Sequence, residues 1–343
     1  MSRSRRKLEH IRHAITRDEM AVNSFDEVEL IHQSLSDIHW DEVSLRTNLG
    51  ELELSSPLFV NAMTGGGGEK TASINRELAK AAKETGIAMA VGSQMSALKD
   101  PRERMSYEVV RQENPDGVVF ANIGTEATPD QAKDAVDMLE ANALQIHLNV
   151  LQELIMPEGD RDFTNRLRNI EEIVKQSEVP VLIKEVGFGI SMESARQLKN
   201  IGISYIDVGG KGGTNFSKVE NKRRKQPFES YNNWGIPTAI SIKEVKNVFP
   251  ESHLMASGGM RNGLDGVKAM VLGARAFGMA GHLLRILMKD SLDEVVEEIQ
   301  HIHDEVKVAM TVLGAKEPYM LEGKPHIFTG RSKEWLEQRS TSL

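Results

Sequence analysis

Four polar side chains stand close together at the end of an apolar run near the middle of the chain. Residues 143–146 read Ala-Leu-Gln-Ile, which is typical of a buried strand, and His147, Asn149, Gln152 and Glu153 follow. Alternate residues of a strand share a face, so we expect His147 and Asn149 to point the same way. A strand that only builds a core ends in turn residues rather than in long polar side chains. Residues 145–153 therefore predict a site.

Two charged residues at predicted strand ends could take part in chemistry. Glu153 offers a hard oxygen ligand that suits Mg²⁺ when a diphosphate completes the shell; the alternative is an exposed carboxylate at a helix start. Lys184 lies inside an apolar run and allows three interpretations: a Schiff-base nucleophile, a charge partner for a cofactor, or a structural ion pair. A positive charge near a flavin stabilises its anionic reduced form. Glu185 alternates to the opposite face and is predicted to be structural.

Glycine and small polar residues recur where the predicted strands end. A glycine at one strand end is explained by a turn. Its recurrence at nearly every strand end indicates a surface that a planar ligand approaches closely. Two segments fall where barrels commonly hold a phosphate, after strands seven and eight. The second precedes a helical run, whose N–H groups could face an anion. The segments are Met63-Thr64-Gly65-Gly66, Gly92-Ser93-Gln94, Asn122-Ile123-Gly124, Gly209-Gly210, Gly212-Gly213-Thr214, Ser257-Gly258-Gly259 and Gly278-Met279-Ala280-Gly281.

Short apolar runs alternate with amphipathic stretches along most of the chain. This alternation predicts parallel β/α units, and eight strands close a TIM (β/α)8 barrel. The alternative, an open doubly wound sheet, usually has fewer strands and a nucleotide loop after the first. The predicted strands are 58–63, 88–93, 118–123, 143–148, 180–186, 205–208, 237–240 and 254–257, and the predicted helices include 71–84, 129–141, 167–176, 191–200, 264–272 and 291–313.

The pattern predicts one domain over residues 1–343 with three departures from a minimal barrel. Residues 1–57 form an N-terminal extension, in which Arg6 and Lys7 are either a solvated tail or a clamp for a polyanion. Residues 211–236 form a long polar insertion with a basic run at 222–225, and loops of this length are typical of lids. Residues 291–343 are predicted to be a helix followed by a tail or an oligomer contact.

Composition limits the classes of function. The 343 residues carry 42 Lys and Arg against 50 Asp and Glu, a net charge of −8 that argues against nucleic-acid binding. There are no cysteines, which excludes disulfides, thiolate metal sites and cysteine nucleophiles. No apolar run approaches the ~18 residues of a membrane span. The basic N-terminus lacks the apolar stretch of a signal peptide, so we expect a cytoplasmic protein with no membrane partner.

These motifs, in this order, resemble the type 2 isopentenyl-diphosphate isomerases. The resemblance extends from residue 5 to about 285, and the block Gln-x-His-Leu-Asn-x-x-Gln-Glu at 145–153 is its most specific part. It implies an FMN enzyme that interconverts isopentenyl and dimethylallyl diphosphate by a 1,3-proton shift, with Mg²⁺ and with NADPH to reduce the flavin. Reduced FMN would act as the acid–base catalyst in isoprenoid biosynthesis. The resemblance also implies a homo-oligomer, either a tetramer or an octamer.

The same resemblance assigns roles to individual residues. Gln152 would lie beside the reacting carbon atoms as the catalytic residue, and Glu153 would hold Mg²⁺. The substrate would be bound by Arg6, Lys7, His147, Asn149 and Gln152. FMN would contact Met63, Thr64, Gly65, Ser93, Asn122, Lys184, Thr214, Gly258, Gly259, Ala280 and Gly281.

One position departs from the family pattern, and other barrel enzymes remain as alternatives. Some members carry arginine after Gly-Ser-Gln, where this chain has Met95, which puts a diphosphate contact there in doubt. The main alternative is another FMN-dependent barrel oxidoreductase. Inosine-monophosphate dehydrogenase-like enzymes need a cysteine, and flavin hydroxy-acid oxidases carry a His near Gly-Arg where residues 241–243 read Ser-Ile-Lys. A further alternative is a flavin-binding protein without catalysis.

Overall fold

The strands of the central sheet close on themselves. The structure is a computed structural model and describes residues 23–62, 66 and 68–340. Eight parallel strands form a closed barrel whose last strand pairs with its first, which confirms the predicted TIM (β/α)8 barrel. In chain order the strands are β1 (Val28–Leu30), β2 (Thr47–Leu49), β3 (Leu52–Leu54), β4 (Leu58–Val60), β5 (Ala88–Ala90), β6 (Val119–Gly124), β7 (Ala143–Leu148), β8 (Val181–Glu185), β9 (Tyr205–Asp207), β10 (His253–Ser257), β11 (Ala276–Met279) and β12 (His326–Phe328). The barrel consists of β4 to β11.

Helices surround the barrel because their apolar residues recur at helical spacing and bury one face against it. Over the described residues, none of these helices has the length and apolar character that crossing a membrane requires. The helices are α1 (Glu69–Thr85), α2 (Met105–Glu113), α3 (Pro129–Leu139), α4 (Val150–Ile155), α5 (Arg166–Gln176), α6 (Met192–Asn200), α7 (Phe216–Asn221), α8 (Thr238–Val248), α9 (Gly263–Val271), α10 (Gly281–Lys289), α11 (Leu292–Val312) and α12 (Gly330–Ser340).

The barrel interior is apolar at the end where the strands begin. Phe59 and Phe120 meet edge to face with ring centroids 6.2 Å apart, and Leu182 packs in the same cluster. The antiparallel hairpin of β2 and β3 seals this end with Leu49 and Leu52. Outward-facing residues of the strands pack instead against the helices. Polar inward-facing side chains therefore concentrate at the other end, where the strands finish.

The predicted seventh strand is wrong. Residues 237–240 begin helix α8, and the seventh strand of the barrel is β10. Pro237 precedes the first turn, and Ala239, Ile242 and Val245 are buried at the spacing of a helix face. A short apolar run does not by itself distinguish a strand from a buried helix. The full span of α8 gives the correct assignment.

The eighth strand, β11, was missed because its four residues include a glycine, a weak strand signal. The structure explains the glycine. Gly278 pairs with Phe59 of β4, and a Cβ atom on Gly278 would lie 2.4 Å from the Phe59 ring. The loop after β10 and the loop after β11 are therefore the two phosphate-type loops of the barrel, in agreement with the places predicted for them.

The N-terminal and C-terminal segments are joined to each other. Strand β1 pairs antiparallel with β12, and the Glu27 carboxylate accepts hydrogen bonds from the N–H groups of Arg331 at 3.1 Å and Ser332 at 2.8 Å. Glu27 thus caps the N-terminus of α12. The predicted helix at 291–313 is confirmed as α11. The residues after it, predicted as a tail or an oligomer contact, include β12 and α12 and fold back onto the N-terminal extension, and the oligomer contact stays a prediction.

The insertion 211–236 has regular structure. It contains α7 and a 3₁₀ helix at Glu229–Asn233, and the Asn221 amide joins them through bonds to the Phe228 carbonyl at 3.1 Å and N–H at 2.8 Å. The Lys211 N–H donates to the Ile236 carbonyl at 2.9 Å and closes the base of the segment. That the insertion acts as a lid stays a prediction.

Candidate functional site

The ends of the barrel strands place inward side chains in one polar layer. Strand register pairs His147 with Lys184 and Lys184 with Asp207. Residues paired in neighbouring parallel strands point to the same side, so these three side chains share the upper inner surface of the barrel. Asn61 and Ser257 join the layer through hydrogen bonds to Asp207. The predicted site residues His147 and Lys184 therefore lie in one layer.

Asp207 is a buried carboxylate that the sequence analysis missed. Its side chain is 0% exposed. The Asn61 amide donates to Oδ2 at 3.0 Å, the Ser257 hydroxyl lies 2.7 Å from Oδ1, and the Gly209 N–H donates to Oδ1 at 3.1 Å. These donors come from β4, from β10 and from the loop after β9, so the carboxylate joins three parts of the barrel. Its signal in the sequence is an acidic residue inside the apolar run 205–208.

Lys184 borders a cavity, and Glu185 organises the loop beside it. The Lys184 ammonium is buried and donates to the main-chain oxygen of Glu185 at 2.8 Å. The Glu185 carboxylate accepts the N–H groups of Gly187 at 2.6 Å, of Phe188, and of Gly189 at 3.2 Å. Burial raises the pKa of Glu185 to about 7, although these donors and Lys184 oppose the rise. This geometry supports a structural role for Glu185 and places Lys184 at the cavity wall.

A chain of amides fixes the orientation of the His147 ring. The Asn122 amide donates to Gln145 Oε1 at 3.1 Å, which leaves its Oδ1 to face His147 Nδ1 at 2.9 Å. Because Oδ1 is an acceptor, Nδ1 of His147 carries the hydrogen of this bond. Gln94 Oε1 accepts the Asn122 N–H at 2.8 Å and holds the strand end in place. Asn122 thus supports His147 from below.

Gln152 lies on α4 and is held by a residue of the insertion. Its side chain is 9% exposed, and Nε2 donates to Glu220 Oε1 at 3.3 Å. Glu220 belongs to α7 and is fully buried, and Arg223 Nη1 lies 2.5 Å from its other oxygen. The hydrogen bond fixes the amide orientation, with Oε1 on the side opposite to the nitrogen that faces Glu220. Glu220 is not among the residues predicted from the sequence, since 68 positions separate it from Gln152.

Glu153 is partly buried, with hydrogen bonds to both carboxylate oxygens. Asn149 donates to Oε1 at 2.9 Å, and the Asp160 N–H donates to Oε2 at 2.8 Å. Strand β7 ends at Leu148, so the argument that Asn149 shares a strand face with His147 does not extend to it. Within the described ranges, no group of three or more acidic, His or Cys side chains could hold a metal ion. A metal here would need substrate oxygens or water as further ligands.

A cavity of about 580 Å³ opens at the ends of β8 to β11 and is bordered also by Asn61 and Ala62 after β4. Six of the predicted cofactor-binding residues line it: Lys184, Thr214, Gly258, Gly259, Ala280 and Gly281. The wall also carries Lys218, Lys222, Arg285 and Arg261, the last of which is paired with Asp26 on the rim and with Asp265. Asn23 and Asp26 form part of the rim, and the Asn23 amide donates to the Gly259 carbonyl at 2.6 Å.

Two backbone loops approach closely at the floor of this cavity. Gly258 has φ +100°, and a Cβ atom on it would lie 2.0 Å from the Gly210 carbonyl oxygen. The Gly210 N–H donates to the Ser257 carbonyl at 2.8 Å, which holds the two loops together. Helix α10 starts at Gly281 beside them, so its first N–H groups lie at the cavity wall. Free N–H groups at a helix start, glycine loops and cations favour a phosphate group.

The remaining predicted residues fall in three places. Ser93 and Asn122 lie at the ends of β5 and β6, outside the described lining of this cavity, and the Ser93 carbonyl accepts the Tyr107 hydroxyl at 2.5 Å. Met95 is buried in the apolar core, so it provides no charge for an anion. Arg6, Lys7, Met63, Thr64 and Gly65 lie outside the described residues.

The barrel, its polar layer and its glycine-lined cavity define a TIM-barrel protein that holds a phosphate-bearing ligand. A family model described as FMN-dependent dehydrogenase matches residues 101–325. Solved structures of mandelate oxidase have the same fold: one, with a monooxide FMN adduct, has a TM-score of 0.65 at 16% identity and covers 96% of this chain and 93% of its own. Identity this low shows the fold alone.

Curated relatives are much more similar. Isopentenyl-diphosphate delta-isomerase of Geobacillus sp. (strain WCH70) is 52% identical over 99% of this chain and 97% of its own length. The enzyme of the same name from Bacillus cytotoxicus is 53% identical, and that from Bacillus licheniformis 51%, over the same shares. The chain therefore belongs to the FMN-dependent type 2 family of isopentenyl-diphosphate delta-isomerases.

The cavity fits FMN on its own chemistry. The loops at Gly258 and Gly281 offer main-chain donors for the FMN phosphate, and Lys184 supplies a buried positive charge at the strand ends. Side chains at the closest loop contact would occupy the space between the loops. Glu153 lies outside the described lining of this cavity, and a magnesium ion bound to it would take its other ligands from diphosphate oxygens and waters.

We predict that Gly258→Ala weakens FMN binding by about tenfold or more, because the methyl group forces the two loops apart. The matched control is Gly202→Ala: Gly202 also has positive φ, +85°, but a Cβ atom there would meet nothing within 4 Å. Titration of flavin-free protein with FMN, followed by flavin fluorescence, measures both affinities. Equal affinity of the two variants would contradict the assignment of this loop.

Proposed function

We propose that the protein interconverts isopentenyl diphosphate and dimethylallyl diphosphate by a 1,3-proton shift. The observation that carries the proposal is 52% identity over 99% of the chain with relatives that bear this enzyme's name. The geometry is compatible with this chemistry. A carbocation-like centre needs surroundings without a strong nucleophile, and the residue assigned to the reacting carbons, Gln152, is a neutral amide held by a hydrogen bond.

FMN is the cofactor of this reaction. When bound and reduced, it supplies the acid–base group that protonates an unactivated alkene, a task for which this chain has no obvious side chain. Thr214, Gly258, Gly259, Ala280 and Gly281 would hold its phosphate end, because they line the cavity where the glycine loops and α10 meet. Lys184 would place its positive charge beside the flavin ring and stabilise the reduced anion.

Gln152 would position the substrate carbons. Its amide cannot attack a carbocation as a carboxylate or thiolate would, yet it can orient a proton donor by a hydrogen bond. The hydrogen bond to Glu220 fixes which atom of the amide faces Glu220, and therefore which atom remains for other contacts. His147, whose ring is set by Asn122, would bind the diphosphate together with Asn149.

Residues of three parts of the chain would bind the diphosphate. Glu153 would hold Mg²⁺, with phosphate oxygens and waters completing an octahedral shell. Arg6 and Lys7 would add positive charge from the N-terminal extension. In support, Asn23 lies on the cavity rim, where its amide donates to the Gly259 carbonyl at 2.6 Å. Because Met95 offers no charge, Arg6, Lys7 and His147 carry more of the contact.

The rest of the proposal rests on the family. NADPH would reduce the flavin before catalysis, without net consumption in the isomerisation. A homo-oligomer, tetramer or octamer, would be the working assembly. The alternative of a different FMN-dependent oxidoreductase is disfavoured by the 52% identity to isomerases. The lack of the oxidases' His near Gly-Arg at residues 241–243 does not argue against an oxidase, since these residues lie within α8 and not at a strand end.

The purified protein should bind FMN and convert isopentenyl diphosphate to dimethylallyl diphosphate in the presence of NADPH and Mg²⁺. Product formation is followed by mass spectrometry or NMR, and NADPH by absorbance at the same time. We expect many turnovers per NADPH oxidised, and loss of activity when a chelator removes Mg²⁺. Stoichiometric NADPH oxidation, or no dimethylallyl diphosphate, would support an oxidoreductase instead.

We predict that Gln152→Ala retains FMN affinity within about twofold but lowers kcat by about 100-fold, since the variant removes the amide at the reacting carbons and leaves the phosphate loops intact. Steady-state isomerisation and FMN titration give the two values. Gln176→Ala, the same change at an exposed position at the end of α5, should leave both values unchanged. Survival of turnover in the Gln152 variant would show that its assigned role is wrong.

We predict that Arg6→Ala raises the KM for isopentenyl diphosphate by about tenfold while the Kd for FMN changes less than twofold, because one charge contact with the diphosphate is lost. Arg168→Ala removes an exposed guanidinium from α5, paired with Glu172, and serves as the control. Initial rates over a range of substrate concentrations separate KM from kcat. An unchanged KM would favour the alternative interpretation, in which the N-terminal segment is a solvated tail.

A further inference from the structure

The basic run 222–225 has arginines that point into the protein. Arg223 lies between two carboxylates: Nη1 is 2.5 Å from Glu220, and Nη2 donates to Glu158, which follows α4. The Arg223 side chain is only 11% exposed. Burial alone would lower the pKa of Arg223, but hydrogen bonds to Glu158 and Glu220 outweigh this and raise its pKa. This guanidinium is therefore a fixed part of the structure and not a mobile surface charge.

The next residue anchors the same two elements. Arg224 Nη1 donates to the Ile155 carbonyl at 2.6 Å, at the last residue of α4, and the guanidinium stacks 3.9 Å from the centroid of the Phe228 ring. Gln152 lies one turn earlier on α4. Two consecutive arginines of the insertion thus bind α4 and the segment after it: Arg224 bonds the last carbonyl of α4, and Arg223 pairs with Glu158, three residues further on.

Glu220 links Arg223 to the amide of Gln152. One of its oxygens accepts the Gln152 amide, and the other faces Arg223. A fully buried carboxylate is costly unless a positive charge and hydrogen bonds compensate it. Replacing Arg223 removes a guanidinium that compensates the buried Glu220 charge, and this loss would disturb the acceptor that orients Gln152. The guanidinium fork suits this bridge because it binds two carboxylates in a fixed plane.

We propose that Arg223 is a positioning residue for Gln152. It keeps Glu220 as the acceptor of the Gln152 amide, and through Glu158 it holds the end of α7 against the segment that follows α4. This inference rests on the proposed function, because its value for catalysis depends on the role of Gln152. The packing it describes is independent of that role.

The test compares three variants of the full-length protein. Arg223→Met should lower kcat by about tenfold, with the KM for isopentenyl diphosphate changed less than threefold and FMN affinity less than twofold. Lys225→Met removes the same charge from an exposed position of the same run and should match the wild type. The double variant Glu220→Gln/Arg223→Met keeps an acceptor for Gln152 without a buried charge, and it should regain about threefold or more of the lost kcat.

A second measurement does not depend on turnover. Hydrogen exchange on flavin-free protein should show amides of α4 and α7 exchanging about tenfold faster in Arg223→Met than in Lys225→Met. Equal exchange, or a double variant no better than Arg223→Met, would overturn the proposal. If Arg223→Met does not fold, Arg223→Lys replaces it, and wild-type kcat and exchange in that variant would also overturn the proposal. If the wild type shows no isomerisation, the proposed function fails, while the exchange comparison still decides the anchoring.

Discussion

A buried carboxylate holds together the part of the barrel from which the cavity is built. Asp207 is out of contact with solvent, and its donors come from Asn61 after β4, from Ser257 at the end of β10 and from the Gly209 N–H. Removing a charge from water costs several kcal/mol unless hydrogen bonds replace the lost hydration. The three donors therefore have little freedom to move apart, and the loops that follow these strands start from fixed positions.

The cost of burying a carboxylate also constrains the part of the site around Gln152. Glu220 is as deeply buried as Asp207, but its partners include side chains of α4 and of the insertion itself, Gln152 and Arg223. Strand geometry therefore positions the cavity wall, whereas a compensated charge between two short helices positions the amide. Phosphate binding and the contact with the reacting carbons are therefore assigned to different parts of the site. Glycine loops and cations gather where phosphate would bind, and a neutral amide faces the place assigned to the reacting carbons.

Much of the fold could be read from the sequence because apolar runs and turn residues are local signals. Seven of the barrel strands fall in predicted segments, while residues 237–240 resembled a strand only because the run was read without the helix that continues it. Strand β11 was hidden by Gly278, whose reason is the Phe59 ring on a neighbouring strand. Local patterns cannot show such a contact, since it depends on the closure of the barrel.

The site residues also differ in whether their signal is local in the sequence. His147, Gln152 and Glu153 were found because they are close in sequence. Asp207 and Glu220 were not, because a lone acidic residue is informative only when its partner is known, and each partner lies on another element.

The fold itself does not select the chemistry. Mandelate oxidase shares it at 16% identity, and residues 101–325 match an FMN-dependent dehydrogenase model, so barrel and phosphate loops are compatible with more than one reaction. What must differ is the set of groups that meet the substrate. In this chain the assigned amide depends on Glu220, and Glu220 depends on Arg223 of the insertion. A proton shift with no net redox needs a site free of competing nucleophiles, and the neutral amide of Gln152, held by Glu220 of the insertion, meets this need.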